Sequence, residues 1–118
     1  MIPKFRARDE RGSWHIGLLT FMFGQYAIVN EIDENTVYLI DKETVGQSTG
    51  LRDKNGVEIF EGDIGWDDHL EVHGQVIFEN GAFKYEWENI SEDLFEVTDD
   101  IEIVGNIYEN PELLEGTE

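Results

Sequence analysis

Two aspartates and two histidines lie close together near the middle of the chain. Asp67 and Asp68 precede His69 and His73, and a four-residue spacing would place both imidazoles on one side of a helix or a strand. Imidazole and carboxylate groups are common ligands of zinc, nickel and iron. The pattern allows a small metal-dependent enzyme, but a polar loop before the strand at Gln75 explains the same residues. We expect no metal or other cofactor.

A second pattern with possible chemistry is Gly-Gln-Ser-Thr-Gly at residues 46–50, which matches the motif G-x-S-x-G. That motif presents a nucleophilic serine only at a strand–turn–helix junction on a large α/β sheet. A chain of 118 residues with no long helical pattern after Gly50 does not provide that junction. The absence of cysteine excludes a thiol nucleophile and cysteine-based zinc sites. We therefore expect no catalytic residues and no enzymatic activity.

The charge balance limits the possible partners. Aspartate and glutamate number 27 against 8 lysines and arginines, which gives a net charge of −19. Such a surface repels phosphates, so direct nucleic-acid binding is not expected. It could attract a basic protein, or it could imitate the charge of DNA and inhibit a host DNA-binding protein. A solvated acidic surface without a specific target is the third interpretation.

One short segment opposes the global charge. Lys4, Arg6 and Arg8 alternate with Phe5 and Ala7, so the three cations would share one face of a first strand. They are candidates for contact with an anionic partner. They could equally pair with acidic side chains of neighbouring strands, which is a common stabilising arrangement in sheets.

Short apolar runs separated by turn residues predict a mainly-β fold, either a barrel or a sandwich of short antiparallel strands. The clearest element is a hairpin over residues 75–87, in which an Asn80-Gly81 turn would pair Phe78 with Phe83. Residues 41–56 are expected to be mostly loop. One or two short helical turns are expected near the C-terminus, one capped by Ser91 and one over residues 111–114.

The length predicts a single domain over residues 1–118, with residues 112–118 as a frayed tail. The first residues lack the apolar core of a signal peptide, and the longest apolar run, Ile16 to Phe23, is too short to span a bilayer. We therefore expect no membrane partner. The lack of cysteine is consistent with a cytoplasmic protein.

Three segments together resemble the YopX family of bacteriophage and prophage proteins. They are residues 2–7 (IPKFRA), residues 49–64 (TGLRDKNGVEIFEGDI) and residues 101–114 (IEIVGNIYENPELL), with GQVIFENG at 74–81 between the last two. The chain departs from the family at Arg8, where a tryptophan is common.

The resemblance implies an SH3-like small barrel and a phage or prophage protein in the cytoplasm of a bacterial host. It also implies possible assembly into a homo-oligomer. The family supplies no catalytic residues to carry over. Our leading hypothesis is an accessory protein of unknown biochemical function that acts by protein–protein interaction with a host or phage partner.

Overall fold

The computed structural model describes residues 3–115 of the chain. These residues form two compact units, the first ending at Ser48 and the second beginning at Thr49. Among the described residues, no helix has the length and apolar character of a transmembrane span. The single domain expected over residues 1–118 stays a prediction.

Unit 1 is an antiparallel sheet in the order β4-β3-β2-β1-β5. Its strands are β1 (Phe5–Arg8), β2 (Trp14–Met22), β3 (Gln25–Asn30), β4 (Val37–Leu39) and the beginning of β5 (Gly46–Arg52). A 3-10 turn at Lys42–Thr44 precedes β5, and the Asp41 side chain caps it by accepting a hydrogen bond from the Glu43 N–H. A loop that contains Asp33, Glu34 and Asn35 connects β3 to β4.

The register of unit 1 sorts its side chains onto two faces. Ile28 lies opposite Leu19 on β2 and opposite Tyr38 on β4. On this face Ile28 and Ala7 are fully buried, and they form the core of unit 1 together with Ile40. Since side chains alternate along a strand, the other face carries Lys4, Arg6, Arg8, Leu18 and Val29. The predicted separation of cations from Phe5 and Ala7 on β1 is confirmed.

Unit 2 contains the end of β5 paired with β6, and a five-stranded antiparallel sheet in the order β10-β9-β8-β7-β11. The strands are β6 (Glu58–Phe60), β7 (Asp63–Asp67), β8 (Val72–Glu79), β9 (Ala82–Trp87), β10 (Ile90–Asp93) and β11 (Ile101–Asn106). Two further 3-10 turns lie at Leu94–Glu96 and Pro111–Leu114.

The core of unit 2 is built around Tyr85, which is 1% exposed. Its ring packs against Gly65 and Gly74 so closely that a Cβ atom at Gly74 would lie 2.4 Å from the Tyr85 Cζ atom. Burial raises the pKa of the Tyr85 phenol far above its ordinary value, and the negative charge of Asp67 raises it further. The predicted β8–β9 hairpin is confirmed, with Phe78 opposite Phe83 and Val76 opposite Tyr85.

The structure corrects several expectations. The mainly-β fold is confirmed. Within residues 3–115, however, the first and last strands of each sheet do not pair with each other, so the expected barrel is not closed. Residues 46–52 form β5 instead of a loop. Ser91 lies within β10 and caps no helix, and the 3-10 turn begins at Leu94. The turn at Pro111–Leu114 is confirmed, so helical structure continues into the tail expected from residue 112; residues 116–118 lie outside the described part.

Candidate protein-binding surface

The β2–β3 hairpin is the least charged part of the chain. No aspartate, glutamate, lysine or arginine occurs from Gly12 to Asn30, although such residues make up 30% of the whole sequence. Large apolar side chains on this hairpin are nevertheless exposed, among them Phe21, Phe23 and Tyr26. Exposed apolar side chains that cluster, instead of being scattered singly, indicate a surface for contact with another molecule.

Phe23 is the most unusual residue of this surface. It lies in the two-residue turn between β2 and β3, its φ angle is +55°, and its side chain is 92% exposed. A bulky residue rarely adopts a positive φ, because the left-handed conformation brings Cβ too close to the backbone. The turn therefore gains nothing from phenylalanine at this position, and the side chain has almost no contact with the rest of the protein.

A second hairpin of the same chain has the favoured residue pair at its turn. The β8–β9 hairpin turns at Asn80-Gly81 with φ angles of +55° and +82°, and the β2–β3 hairpin turns at Phe23-Gly24 with +55° and +79°. Positive φ at both central positions is the requirement of a type I′ turn, for which Asn-Gly is the favoured pair. The two turns thus have matching φ angles, but only the β8–β9 turn has a residue at its first position that favours this conformation.

Two further aromatic residues form the second pair from the turn, next to the Met22–Gln25 pair that adjoins it. Phe21 pairs with Tyr26 across the hairpin, and their rings meet edge to face with centroids 5.0 Å apart. We call Phe21, Phe23 and Tyr26 the aromatic tip. Phe21 and Tyr26 also line an open cleft of about 450 Å³, whose other lining residues are Glu10, Gly24, Gln25, Ile40, Asp41 and Lys42. Apolar walls thus lie next to two carboxylates and one ammonium group.

A hydrogen-bonded loop fixes the base of β2. The Asp9 carboxylate accepts hydrogen bonds from the Arg11 and Ser13 N–H groups, and it contacts the His15 Nε2 atom at 2.9 Å. The His15 ring in turn stacks on Tyr38 of β4, with ring centroids 3.7 Å apart. The hydrogen bond from His15, helped by those from the backbone, lowers the pKa of Asp9 to about 2. Asp9 therefore stays ionised even in mild acid, and its hydrogen bonds hold the start of the hairpin in place.

The predicted metal ligands have local structural contacts. Asp67 ends β7 and is buried, and its Oδ1 atom accepts hydrogen bonds from the His69 and Leu70 N–H groups. Asp68 contacts the Lys54 Nζ atom at 3.2 Å. His69 lies in the β7–β8 turn. His73 lies on β8 opposite Trp66, and the centroids of the His73 and Trp66 rings are 4.8 Å apart.

The segment that contains both histidines is therefore neither one helix nor one strand, so the spacing argument does not apply to it. In the part of the chain that the structure describes, no group of three or more His, Cys, Asp or Glu side chains could hold a metal ion.

The predicted basic face of β1 is formed, and each cation has a contact on it. The Lys4 Nζ atom lies 3.7 Å from the Glu31 carboxylate, and the guanidinium groups of Arg6 and Arg8 lie 5.1 Å and 5.8 Å from the centre of the Trp14 ring. Partner binding by Lys4, Arg6 and Arg8 stays a prediction. The Gly-Gln-Ser-Thr-Gly motif lies on β5, where the Ser48 N–H donates to the Lys4 carbonyl oxygen.

Sequence reasoning did not identify the aromatic tip, although signals for it were present. The sequence groups Phe23 with the apolar run that begins at Ile16, whereas the structure ends β2 at Met22. The uncharged stretch in an otherwise acidic chain was the first signal. The second was a phenylalanine directly before a glycine at a position where the chain must turn.

Comparison with known proteins agrees with this fold. The family model described as "YopX protein" matches residues 4–115. A crystal structure of protein EF1440 from Enterococcus faecalis is similar to this chain, with 28% sequence identity, a TM-score of 0.62, and coverage of 98% of this chain and 99% of that one. No curated protein matches the chain.

The fold and its exposed hairpin thus define a mainly-β protein built of antiparallel sheets that presents an apolar surface. The match over residues 4–115 shows that the chain belongs to the YopX family.

Proposed function

We propose that this chain is a non-catalytic binding protein whose aromatic tip contacts a protein partner. The observation that carries the proposal is Phe23, which is almost fully exposed in a backbone conformation that disfavours phenylalanine. A residue that costs the fold free energy and makes almost no contact within it is best explained by a contact outside it. Aromatic side chains are also enriched among the residues that contribute most to protein–protein affinity.

The setting of this activity is part of the proposal. Since YopX-like proteins are associated with phages and prophages, we place the protein in the cytoplasm of a bacterial host, as an accessory protein of a phage or prophage. The alternative of a DNA mimic rests on the net charge of −19. It predicts a different response of partner binding to salt and to substitution, because binding by charge alone would be lost at moderate salt and would not depend on Phe23.

Capture of partners with matched variants tests the proposal. The wild-type chain, Phe23→Asn and Ile32→Asn would each be immobilised and exposed to an Enterococcus faecalis lysate, and the captured proteins would be identified by mass spectrometry. Ile32 is a suitable control because it is 89% exposed and lies at the other end of the β2–β3 ladder. Affinities would then be measured with the purified partner.

We expect a partner that binds the wild type and Ile32→Asn alike and binds Phe23→Asn at least about tenfold more weakly, as expected for loss of an aromatic anchor. If every captured protein binds Phe23→Asn as tightly as the wild type, the aromatic tip is not the binding surface. If those proteins also dissociate at moderate salt, the DNA-mimic alternative is favoured.

A further inference from the structure

We infer that the occupant of the aromatic tip and its cleft is a basic amphipathic segment of a protein partner. The inference rests on the proposed function, and it adds the chemical character of the partner. Apolar side chains of the segment would lie against the rings of the tip, and its lysine or arginine side chains would face the carboxylates beside them.

The composition of the cleft supports this chemistry. Phe21, Tyr26 and Ile40 provide apolar walls, and Glu10 and Asp41 place two carboxylates at their border. One Asp41 oxygen accepts a hydrogen bond from the Glu43 N–H. In the loop from Asp9 to Ser13, the Arg11 and Ser13 N–H groups donate to the Asp9 carboxylate and not to that of Glu10. Lys42 is the single cation of the lining, so acidic groups are in excess. An aromatic ring beside a carboxylate suits a guanidinium or ammonium group, which both attract.

The charge of the whole chain disfavours two other occupants. A second copy would add another net charge of −19, so the two copies would repel each other, most strongly at low ionic strength. An anionic lipid surface would be repelled for the same reason. A basic segment is attracted by the acidic body and then finds an uncharged apolar contact at the hairpin. In such an arrangement the charges mainly raise the association rate, and the apolar contacts limit dissociation.

Three synthetic peptides of equal length separate these contributions. The first is an amphipathic Lys/Leu helix, the second keeps the leucines and replaces each lysine with glutamate, and the third keeps the lysines and replaces each leucine with serine. Binding of labelled peptides to the intact chain would be followed by fluorescence anisotropy at low and high salt. We expect the Lys/Leu peptide to bind at least about tenfold more tightly than either of the others.

Variants of the protein connect the binding to the site. Phe23→Asn should weaken binding of the Lys/Leu peptide at least about tenfold, and Ile32→Asn should not change it. Glu10→Gln should weaken it about two- to fivefold and reduce its salt dependence. Glu34→Gln removes the same charge from the loop at the opposite end of the ladder, and its effect should be smaller.

Each other result has a distinct meaning. Equal binding of the Glu/Leu and Lys/Leu peptides would overturn the inference of a basic partner and leave the proposed role of the aromatic tip intact. Equal binding of the Lys/Ser peptide, unaffected by Phe23→Asn, would overturn both. A Lys/Leu peptide that does not bind at all would overturn the inference, while the lysate experiment would still decide the proposed function.

Discussion

Replacing Gly17 with alanine should destabilise the β2–β3 hairpin by about 3 kcal/mol or more, which is the range of the most damaging single substitutions. A Cβ atom at Gly17 would lie 1.8 Å from the carbonyl oxygen of Val29 on the neighbouring strand. The obstacle is backbone, so no side chain can rotate away to accommodate the methyl group. Strand β3 must therefore separate from β2, and the hydrogen bonds of the ladder beside Gly17 are strained or lost.

Urea titration and hydrogen exchange would measure this effect. Peptides that cover β2 and β3 should lose protection in Gly17→Ala. Gly12→Ala is the matched control, since no atom lies within 4 Å of its added Cβ and only its φ of +91° opposes alanine. That control should cost about 1–2 kcal/mol. Equal stabilities of Gly17→Ala and Gly12→Ala would show that the two strands are not packed as closely as described.

The second large effect should come from Asp53→Ala, which we expect to reduce the free energy of unfolding by about 3 kcal/mol or more. The Asp53 side chain is only 6% exposed. One of its oxygens accepts the N–H groups of Asn55 and Val57, and the other accepts the N–H of Ile103 on β11 at 2.8 Å. Truncation leaves three backbone donors without this acceptor. Asp53→Asn should cause an intermediate loss of stability. Its amide oxygen can still accept hydrogen bonds at one of the two oxygen positions, but its NH₂ group would face a backbone N–H donor at the other.

The pH dependence of stability provides an independent measurement at Asp53. Burial alone would raise the pKa of this carboxyl group, but the three backbone hydrogen bonds outweigh it and hold the pKa below the ordinary value of 3.8. The contribution to stability is therefore complete above that ordinary value and is lost as the pH falls through the lowered pKa of the folded state. Asp53→Asn should unfold with a weaker pH dependence in acid than the wild type. An unchanged acid profile would contradict this assignment.

Local sequence signals predicted the parts of the fold that depend on neighbouring residues. The Asn80-Gly81 turn and the register of Phe78 with Phe83 follow from the preference of Asn-Gly for positive φ and from the alternation of the strands. The bond from Ile103 to Asp53 joins residues 50 positions apart, and nothing in either segment indicates it. Strand β5 was missed because its glycine, serine and threonine residues resemble a loop, whereas pairing of Gln47 with Phe5 makes it a strand.

Tertiary contacts also overrode a local signal near Ser91. Serine followed by two acidic residues is typical of a helix start, but Ile90 pairs with Trp87 and the segment continues as the edge strand β10. The histidine pair shows a second way in which a local sequence pattern can mislead. Spacing along a chain indicates proximity only within one regular element, and the turn between His69 and His73 removes that condition.

The sequence did not predict the aromatic tip for a different reason. Apolar residues in a strand-like run predict burial, and a sequence does not show which of them the turn leaves in solvent. Only the backbone angles of the Phe23-Gly24 turn, compared with those of Asn80-Gly81, show that phenylalanine does not suit its position.

Our central claim is that Phe23 serves contact with a partner at a cost to the fold. The most direct test is the urea midpoint of Phe23→Asn, measured beside the reciprocal variant Asn80→Phe. We expect Phe23→Asn to raise the free energy of unfolding by about 1 kcal/mol, because asparagine tolerates the left-handed conformation, and we expect Asn80→Phe to lower it by a similar amount. A decrease in stability for Phe23→Asn would show that the phenylalanine supports the fold, and it would contradict the account.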